Sequence, residues 1–586
     1  QDARGNTVIQ SYDALGRMVK RTRYLQGDVD NHTRWYYDGE RDISGAASQA
    51  NAMAEDGDLI SGSSEAGNNV SAIVMTRDGS ENCTAASAIQ CSYPLYDAFG
   101  RGVISNTHNN IGGTLEAYTG MVEYDQLGRV SLQTDALHGV IEGITSGTQN
   151  HYNPLGYRER VSDLSTGEDL FKVLTTNARG QIVTALRGNG ITSRNTYDMA
   201  TGRILKQEGD IANLFKVQNI AYSWDTIGNL SSRYNNSQKT LGTGSGRDLK
   251  EAFCYDGLNR LVKTQRSTGE GVGIVDCDTG LDMSYDGYGN ILSKSGVGSY
   301  TYNAVVNGQV KPHAVSQAGN RSYHYDASGN VVSDSYSEGA DSYGRTYTYG
   351  SIDKPTRIVK TKNGSEVHRT NFTYGIGDAR FLREDSGSQL GAKQTVYMGN
   401  VEKITYSDRI EWKRYLGSTS IVTYTTDIAA NDGVYTANET EQVFIYKDHL
   451  GSLDVITDSG GTVIQSMSFD PWGHRRDADT WALEDIEALP LTYSATAVLL
   501  KLNSITTRGF TGHEMLDELN LIHMNGRVYD PVIARFLQAD PIVQAVTNTQ
   551  AFNRYSYVWN NPLNATDPSG YKIHWQYYRQ GRSEEH

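Results

Sequence analysis

A short pattern, Tyr-Asp-x-x-Gly-Arg, recurs along the chain and constrains its fold more than any other feature. It stands at Tyr12–Arg17, Tyr96–Arg101 and Tyr124–Arg129. Variants follow at Tyr152–Gly156, Tyr197–Arg203 (one residue longer), Trp224–Asn229, Tyr255–Arg260, Tyr285–Asn290 and Tyr325–Asn330. Successive copies are commonly 27 to 31 residues apart. An aspartate at this place can accept hydrogen bonds from backbone N–H groups just downstream and close a turn. The glycine or asparagine after it supplies positive φ. Each turn is followed by an alternating segment, such as Arg17–Tyr24 or Arg260–Arg266, with one wet and one half-dry face. Such a hairpin is not stable alone and must pair with its neighbours. Chance recurrence of Tyr-Asp in a Tyr-rich chain does not place Gly and Arg at fixed offsets. The pattern therefore predicts an all-β protein, and its period by itself permits a solenoid or a propeller.

Composition agrees with many strands and little solid core. Among 586 residues there are 38 Tyr against 11 Phe, and 61 Gly against 10 Pro. Tyrosine suits sheet faces that are only partly dry. The formal charge of −15 argues against nucleic acid as a partner, because phosphate binding calls for a positive footprint. It argues equally against a membrane-surface role. No apolar run approaches the ~20 residues of a membrane helix. The chain starts at Gln1 with neither Met nor signal peptide, so a fragment or processed product is expected. The four cysteines fall into two local pairs, Cys83/Cys91 and Cys254/Cys277, without C-x-x-C spacing. Two local disulfides in an exported protein are the reading adopted.

Three stretches depart from the repeat. Residues 40–92 are rich in Ala, Ser, Gly and Asn and read as a long surface insertion ending at the first cysteine pair. Residues 374–440 alternate like strands but lack the turn motif. Residues 478–503 form the one candidate helical or irregular patch, limited by Pro490.

From Phe444 the sequence becomes denser in distinct motifs. Tyr446–Ser452, Phe469–Gly473, Gly509–Glu514, Gly526–Pro531 and Arg535–Pro541 follow in quick succession, and Asp567-Pro-Ser-Gly570-Tyr571 closes the series. Two carboxylates held close share a proton, so one can activate water while the other protonates a leaving group or polarises the carbonyl. Asp540 and Asp567 are candidates for such a pair, although Asp-Pro by itself is commonly a turn opener.

The repeats resemble those of the YD-repeat, or Rhs, family, and residues 444–571 are similar to the Rhs repeat-associated core. That resemblance implies a hollow β-shell spiralling over residues 1–443 and a core plug over 444–571. It also implies that residues 572–586 begin a variable C-terminal toxin region. In the family, two aspartates in Asp-Pro contexts form an internal aspartyl protease. By the same resemblance Asp540 and Asp567 are catalytic, and the bond cut lies between Tyr571 and Lys572. Arg535 either orients a carboxylate of the pair or serves as a structural ion-pair partner. The chain departs from the common pattern in the 27-residue interval between the aspartates and in Tyr571, where Leu is frequent.

Other chemistry is poorly supported. His513-Glu514 lacks the second histidine of a zinc helix, since Asp517 stands in its place. His449 beside Asp448 reads as a turn or core histidine. No nucleophile elbow or P-loop occurs, and no metal or cofactor is expected. The expected function is encapsulation of the chain's own C-terminal toxin domain, with release by self-cleavage. A secretion or toxin-complex partner would close the shell, and the protein would be a secreted or cell-surface bacterial one. The alternatives are a teneurin-like adhesion scaffold and a glycan-binding shell without proteolysis.

Overall fold

The computed structural model describes residues 1–37, 70–77, 83–84, 86–211, 215–238, 246–269, 277, 280–387, 391–428, 434–482 and 505–575. Two large antiparallel sheets carry the fold, one of eighteen strands and one of seventeen. The first runs from Thr7–Tyr12 to Leu261–Thr268, and each strand pairs with its neighbours in the chain. The second runs from Met283–Tyr285 to Val463–Ser466 in the same way, except that it skips the separate hairpin Val305–Val306/Gln309–Val310 by pairing Gly298–Thr301 with Gln317–Ala318. At the junction the Asp282 N–H donates to the Val262 carbonyl.

The repeat motif builds each turn as its residues dictate. Asp13 Oδ1 accepts from the N–H groups of Leu15 and Arg17, both at 2.9 Å, and its Oδ2 accepts from Arg17 Nε at 2.6 Å. Asp97, Asp125 and Asp256 repeat this arrangement. Gly16 sits at φ +78°, in the left-handed region that a residue with a Cβ avoids. The motif tyrosine does something the turn does not require. Its hydroxyl reaches back to the strand that leaves the preceding turn: Tyr124 to Gly102 O, Tyr152 to Val130 O, Tyr255 to Leu230 O and Tyr285 to Leu261 O, at 2.7–2.9 Å. Arginine completes the lock from the other side, with Arg101 over the Tyr124 ring and Arg129 over Tyr152, both at 4.2 Å. Where Trp224 replaces tyrosine, its indole N–H makes the equivalent bond to Ile204 O at 2.7 Å. Phenylalanine could not, so these positions call for tyrosine or tryptophan.

Some boundaries differ from those expected. Val70–Thr76 and Ala88–Tyr96 are full members of the first sheet, so these two stretches of 40–92 are paired strands rather than loop. Residues 38–69 lie outside the described residues. The division at 443/444 falls inside Ala437–Lys447, a strand paired on both sides. The repeat turn also persists beyond it: Asp448 and Asp470 close turns with the same two backbone bonds. The reason is that these turns need only an aspartate and a residue tolerating positive φ, whatever the surrounding motif. Among the described residues, 505–575 form a module of short strands apart from the two large sheets. The irregular patch at 478–503 lies outside the described residues from 483 on. Strands do occupy 374–440, as in Arg380–Gly387 and Ile410–Leu416. Both cysteine pairs, Cys83–Cys91 and Cys254–Cys277, are disulfide-bonded.

The sheets face one another. Arg414 of the second sheet reaches Asp135 and Asp163 of the first, and Trp412 packs with Leu137, Ile141 and Leu170. A polar cavity of about 670 Å³ remains between them, lined by Gln90, Thr107 and Asn109 on one side and Arg380 and Tyr397 on the other. Among the described residues no ladder joins the ends of either sheet. The closed shell implied by resemblance is thus not closed by strand pairing here. Residues 505–575 lie against both sheets, their core built from Phe510, Tyr529, Phe536 and Tyr557.

Candidate active site

The terminal module is fixed to the sheets by polar bonds to repeat turns. Asn561 and Asn564 donate to Asn229 Oδ1 at 3.1 and 3.0 Å. Arg535, Asn553 and Asn560 all donate to Gly289 O, and Tyr555 donates to Gly329 O at 2.7 Å. These are the three turns in which asparagine replaces the motif arginine: Asn229, Asn290 and Asn330. The shorter side chain leaves the turn open to an incoming partner, whereas arginine covers the next tyrosine. Deeper in, Glu514 takes Arg380 and Arg383, and Arg345 bridges Asp334 to Asp530, each pair nearly fully buried. Buried charges persist only when paired in this way.

Within this frame the structure brings Asp540 and Asp567 together through one guanidinium. Arg527 lies on the strand Arg527–Asp530, after a tight turn from Leu521–Met524. Its Nη2 meets Asp540 Oδ2 at 3.0 Å and Asp567 Oδ2 at 3.2 Å. Its Nη1 donates to Arg554 O at 3.0 Å, its Nε donates to Gly570 O, and the group stacks 3.6 Å from the Phe536 ring centroid. Asp540 is 6% exposed and Asp567 is 1% exposed. Burial pushes the Asp540 carboxyl above its ordinary value; Arg527 opposes the shift and the Asp567 charge adds to it. Asp540 also fulfils the turn reading, since its Oδ1 accepts from the Ile542 N–H at 2.8 Å.

The segment after Asp567 doubles back onto this pair. The Gly570 N–H bonds to Asp567 O, and Gly570 holds φ +73°. A Cβ there would lie 2.1 Å from Met524 O, so only glycine fits. The turn brings the Lys572 N–H to Asp567 Oδ1 at 2.8 Å. The Tyr571 carbonyl accepts from Gln544 Nε2 at 2.6 Å. The Tyr571 ring lies against Gly526, its hydroxyl donates to Gly526 O at 2.9 Å, and burial pushes that phenol up to about 12. One carboxylate thus touches the nitrogen of the Tyr571–Lys572 peptide, while a side-chain amide touches its carbonyl oxygen.

Arg535 does not join this cluster. It sits opposite Asp530 in the pairing of Arg527–Asp530 with Arg535–Phe536, and its guanidinium bonds Asn560 Oδ1 at 2.7 Å and Gly289 O at 2.9 Å. Its role is to dock the module, and Arg527 holds the place beside the aspartates. The motif Gly526–Pro531 contained that residue; nothing in sequence joined it to Asp540. Gln544 carried no signal, being a lone polar residue in an irregular loop. His513 bonds Thr511 and the Pro568 carbonyl, Glu514 is held by two arginines, and His449 lies against Tyr222 and meets Leu563 O. Among the described residues no group of three or more His, Cys, Asp or Glu is arranged to hold a metal ion.

No family model matches the chain. Curated relatives include bacterial toxin subunits and tRNA nucleases. The chain is 25% identical over 431 residues to Toxin subunit YenC2 of Yersinia entomophaga, across 68% of this chain and 43% of that protein. It is 25% identical over 327 residues to the tRNA3(Ser)-specific nuclease WapA of Bacillus spizizenii, across 55% of this chain and 12% of that protein. The chain therefore spans less than half the length of these relatives. A solved TcdB2-TccC3 structure superposes with a TM-score of 0.63 at 16% identity, over 97% of this chain and 27% of that one. A Photorhabdus luminescens Tc holotoxin pore does so with a TM-score of 0.62 at 16% identity, over 99% and 27%. At that identity the likeness establishes the fold. Repeats, sheets and relatives together support a likeness to Rhs-type, YD-repeat toxin proteins, with the fold of the toxin-complex structures.

Proposed function

We propose that the chain is the shell of an Rhs-type toxin, enclosing a toxic C-terminal region and freeing it by cutting itself between Tyr571 and Lys572. The observation that carries the proposal is the contact of Asp567 with the Lys572 nitrogen while Arg527 joins Asp567 to Asp540. A carboxyl pair needs one member protonated and one ionised, and burial favours the proton on Asp540. In the reaction water adds to the Tyr571 carbonyl carbon and gives a proton to the ionised carboxylate. The Lys572 nitrogen takes a proton from the carboxyl pair, Asp567 being the member in contact with it. The C–N bond then breaks, leaving a Tyr571 carboxylate and a Lys572 amine. Polar bonds from the module to both sheets would keep the cut shell intact, so release need not dismantle the wall.

By analogy with the solved complexes, a larger toxin-complex subunit would complete the enclosure, and the assembly would be a secreted bacterial one. Mass analysis of the full-length protein tests the chemistry. Wild type should separate at Tyr571/Lys572, and Asp540→Asn and Asp567→Asn should stay whole. An intact wild-type chain would refute self-cleavage and favour a pure scaffold.

A further inference from the structure

Gln544 holds the peptide after Tyr571 at two points. Its Nε2 donates to Tyr571 O at 2.6 Å, and its Oε1 accepts from the Ile573 N–H at 2.9 Å. The amide therefore acts as one rung of a β-ladder, spanning residue 572 from the side. The two bonds fix which end of the amide is nitrogen, because the carbonyl of Tyr571 can only accept and the N–H of Ile573 can only donate. Asp567 contacts the Lys572 nitrogen at 2.8 Å, so the peptide bond has a partner at its oxygen and another at its nitrogen.

We infer that Gln544 is a catalytic residue of the self-cleavage proposed above, supplying the donor that stabilises the oxyanion formed on the Tyr571 carbonyl. This inference rests on that proposal. When water adds to the carbonyl carbon, negative charge collects on the oxygen that Gln544 already faces. A donor aimed at this atom gains strength as the charge grows, and loss of one such donor elsewhere slows acyl transfer by about 10²–10³-fold. The Ile573 bond serves a different end. It keeps the strand from rotating, so that the carbonyl stays directed at the amide until the C–N bond breaks.

Gln544→Glu separates the two functions. A carboxylate still accepts from the Ile573 N–H but offers the Tyr571 oxygen no proton. The test is a time course of cleavage by intact mass, started by cell-free synthesis of the full chain, with wild type and Asp540→Asn as the limits. Gln544→Glu should cut about 10²–10³-fold more slowly at pH 7. The deficit should narrow at acid pH, where the introduced carboxyl group, once protonated, again donates. A bracket without catalytic effect predicts wild-type cutting by this variant at every pH, and that result would overturn the inference while leaving the aspartate mechanism standing. Should the carboxylate disturb the local fold, as read by thermal unfolding, Gln544→Met replaces it; slow cutting supports the donor role and a wild-type rate refutes it. An uncut wild type would overturn both proposals.

Discussion

Gly526→Ala is the substitution whose effect on cutting can be worked most directly from geometry. Gly526 does not need glycine for its backbone, since its φ lies outside the left-handed region. What it lacks room for is a methyl group. A Cβ built there falls 2.3 Å from Tyr571 Cε2 and 2.6 Å from Cδ2. Carbon atoms rest at about 3.5–4.0 Å, so the ring must retreat by more than about 1 Å. The opposite wall yields poorly, because the Gly526 N–H is bonded to Ser569 O at 2.9 Å and Gly570 is packed under Met524 O. Displacing Tyr571 carries its carbonyl away from Gln544 and the Lys572 nitrogen away from Asp567. A misplacement of about 1 Å costs on the order of 10²-fold in rate. In the mass-resolved time course, Gly526→Ala should therefore cut about 10²-fold more slowly than wild type. Combining it with Tyr571→Ala removes the clashing ring, and the pair should cut as fast as Tyr571→Ala alone. A wild-type rate for Gly526→Ala would refute the reasoning, as would a double variant slower than Tyr571→Ala.

Two further predictions concern stability. Tyr255→Phe leaves the buried Leu230 carbonyl without its 2.9 Å donor, at a cost of about 1–3 kcal/mol. Hydrogen exchange in Leu230–Asn235 and Leu249–Tyr255 should quicken, while Tyr12→Phe, whose hydroxyl meets only the exposed Gln10 side chain, should change nothing measurable. The pH dependence concerns Asp540, whose folded-state pKa is raised above the ordinary 3.8. The folded protein then binds this proton more tightly than the unfolded chain. The contribution to stability is full below 3.8 and lost as pH rises through the folded value. Asp540→Asn should flatten the urea-denaturation midpoint across that interval, and an unchanged pH profile would contradict the assignment.

What the sequence disclosed follows from the range of each interaction. The turn is local: Asp13, Gly16 and Arg17 meet within a single motif, and period-two alternation then fixes the strands. The two Asp-Pro positions could be nominated because motif residues surround them. The tyrosine lock escaped, since Tyr255 meets a carbonyl 25 residues upstream and no local rule names that partner. The choice of Arg535 over Arg527 has the same origin. Arg535 is nearer to Asp540 along the chain, but strand pairing turns it toward Gly289, and a hairpin returns Arg527 to the aspartates. Gln544 acts through loop geometry alone, which leaves no periodic trace.

The three asparagine turns also say something about length. A wall of interchangeable hairpins has no natural end, because each tyrosine recognises whichever unit precedes it. The module at residues 505–575 breaks that equivalence by engaging Asn229, Gly289 and Gly329. These positions work as marks on a ruler. A hairpin added between Gly289 and Gly329 would shift them past their counterparts Arg535 and Tyr555, and one added between Asp163 and Asn229 would pull the first sheet away from Arg414. The number of hairpins along this part of the wall is thus set by what the wall must meet.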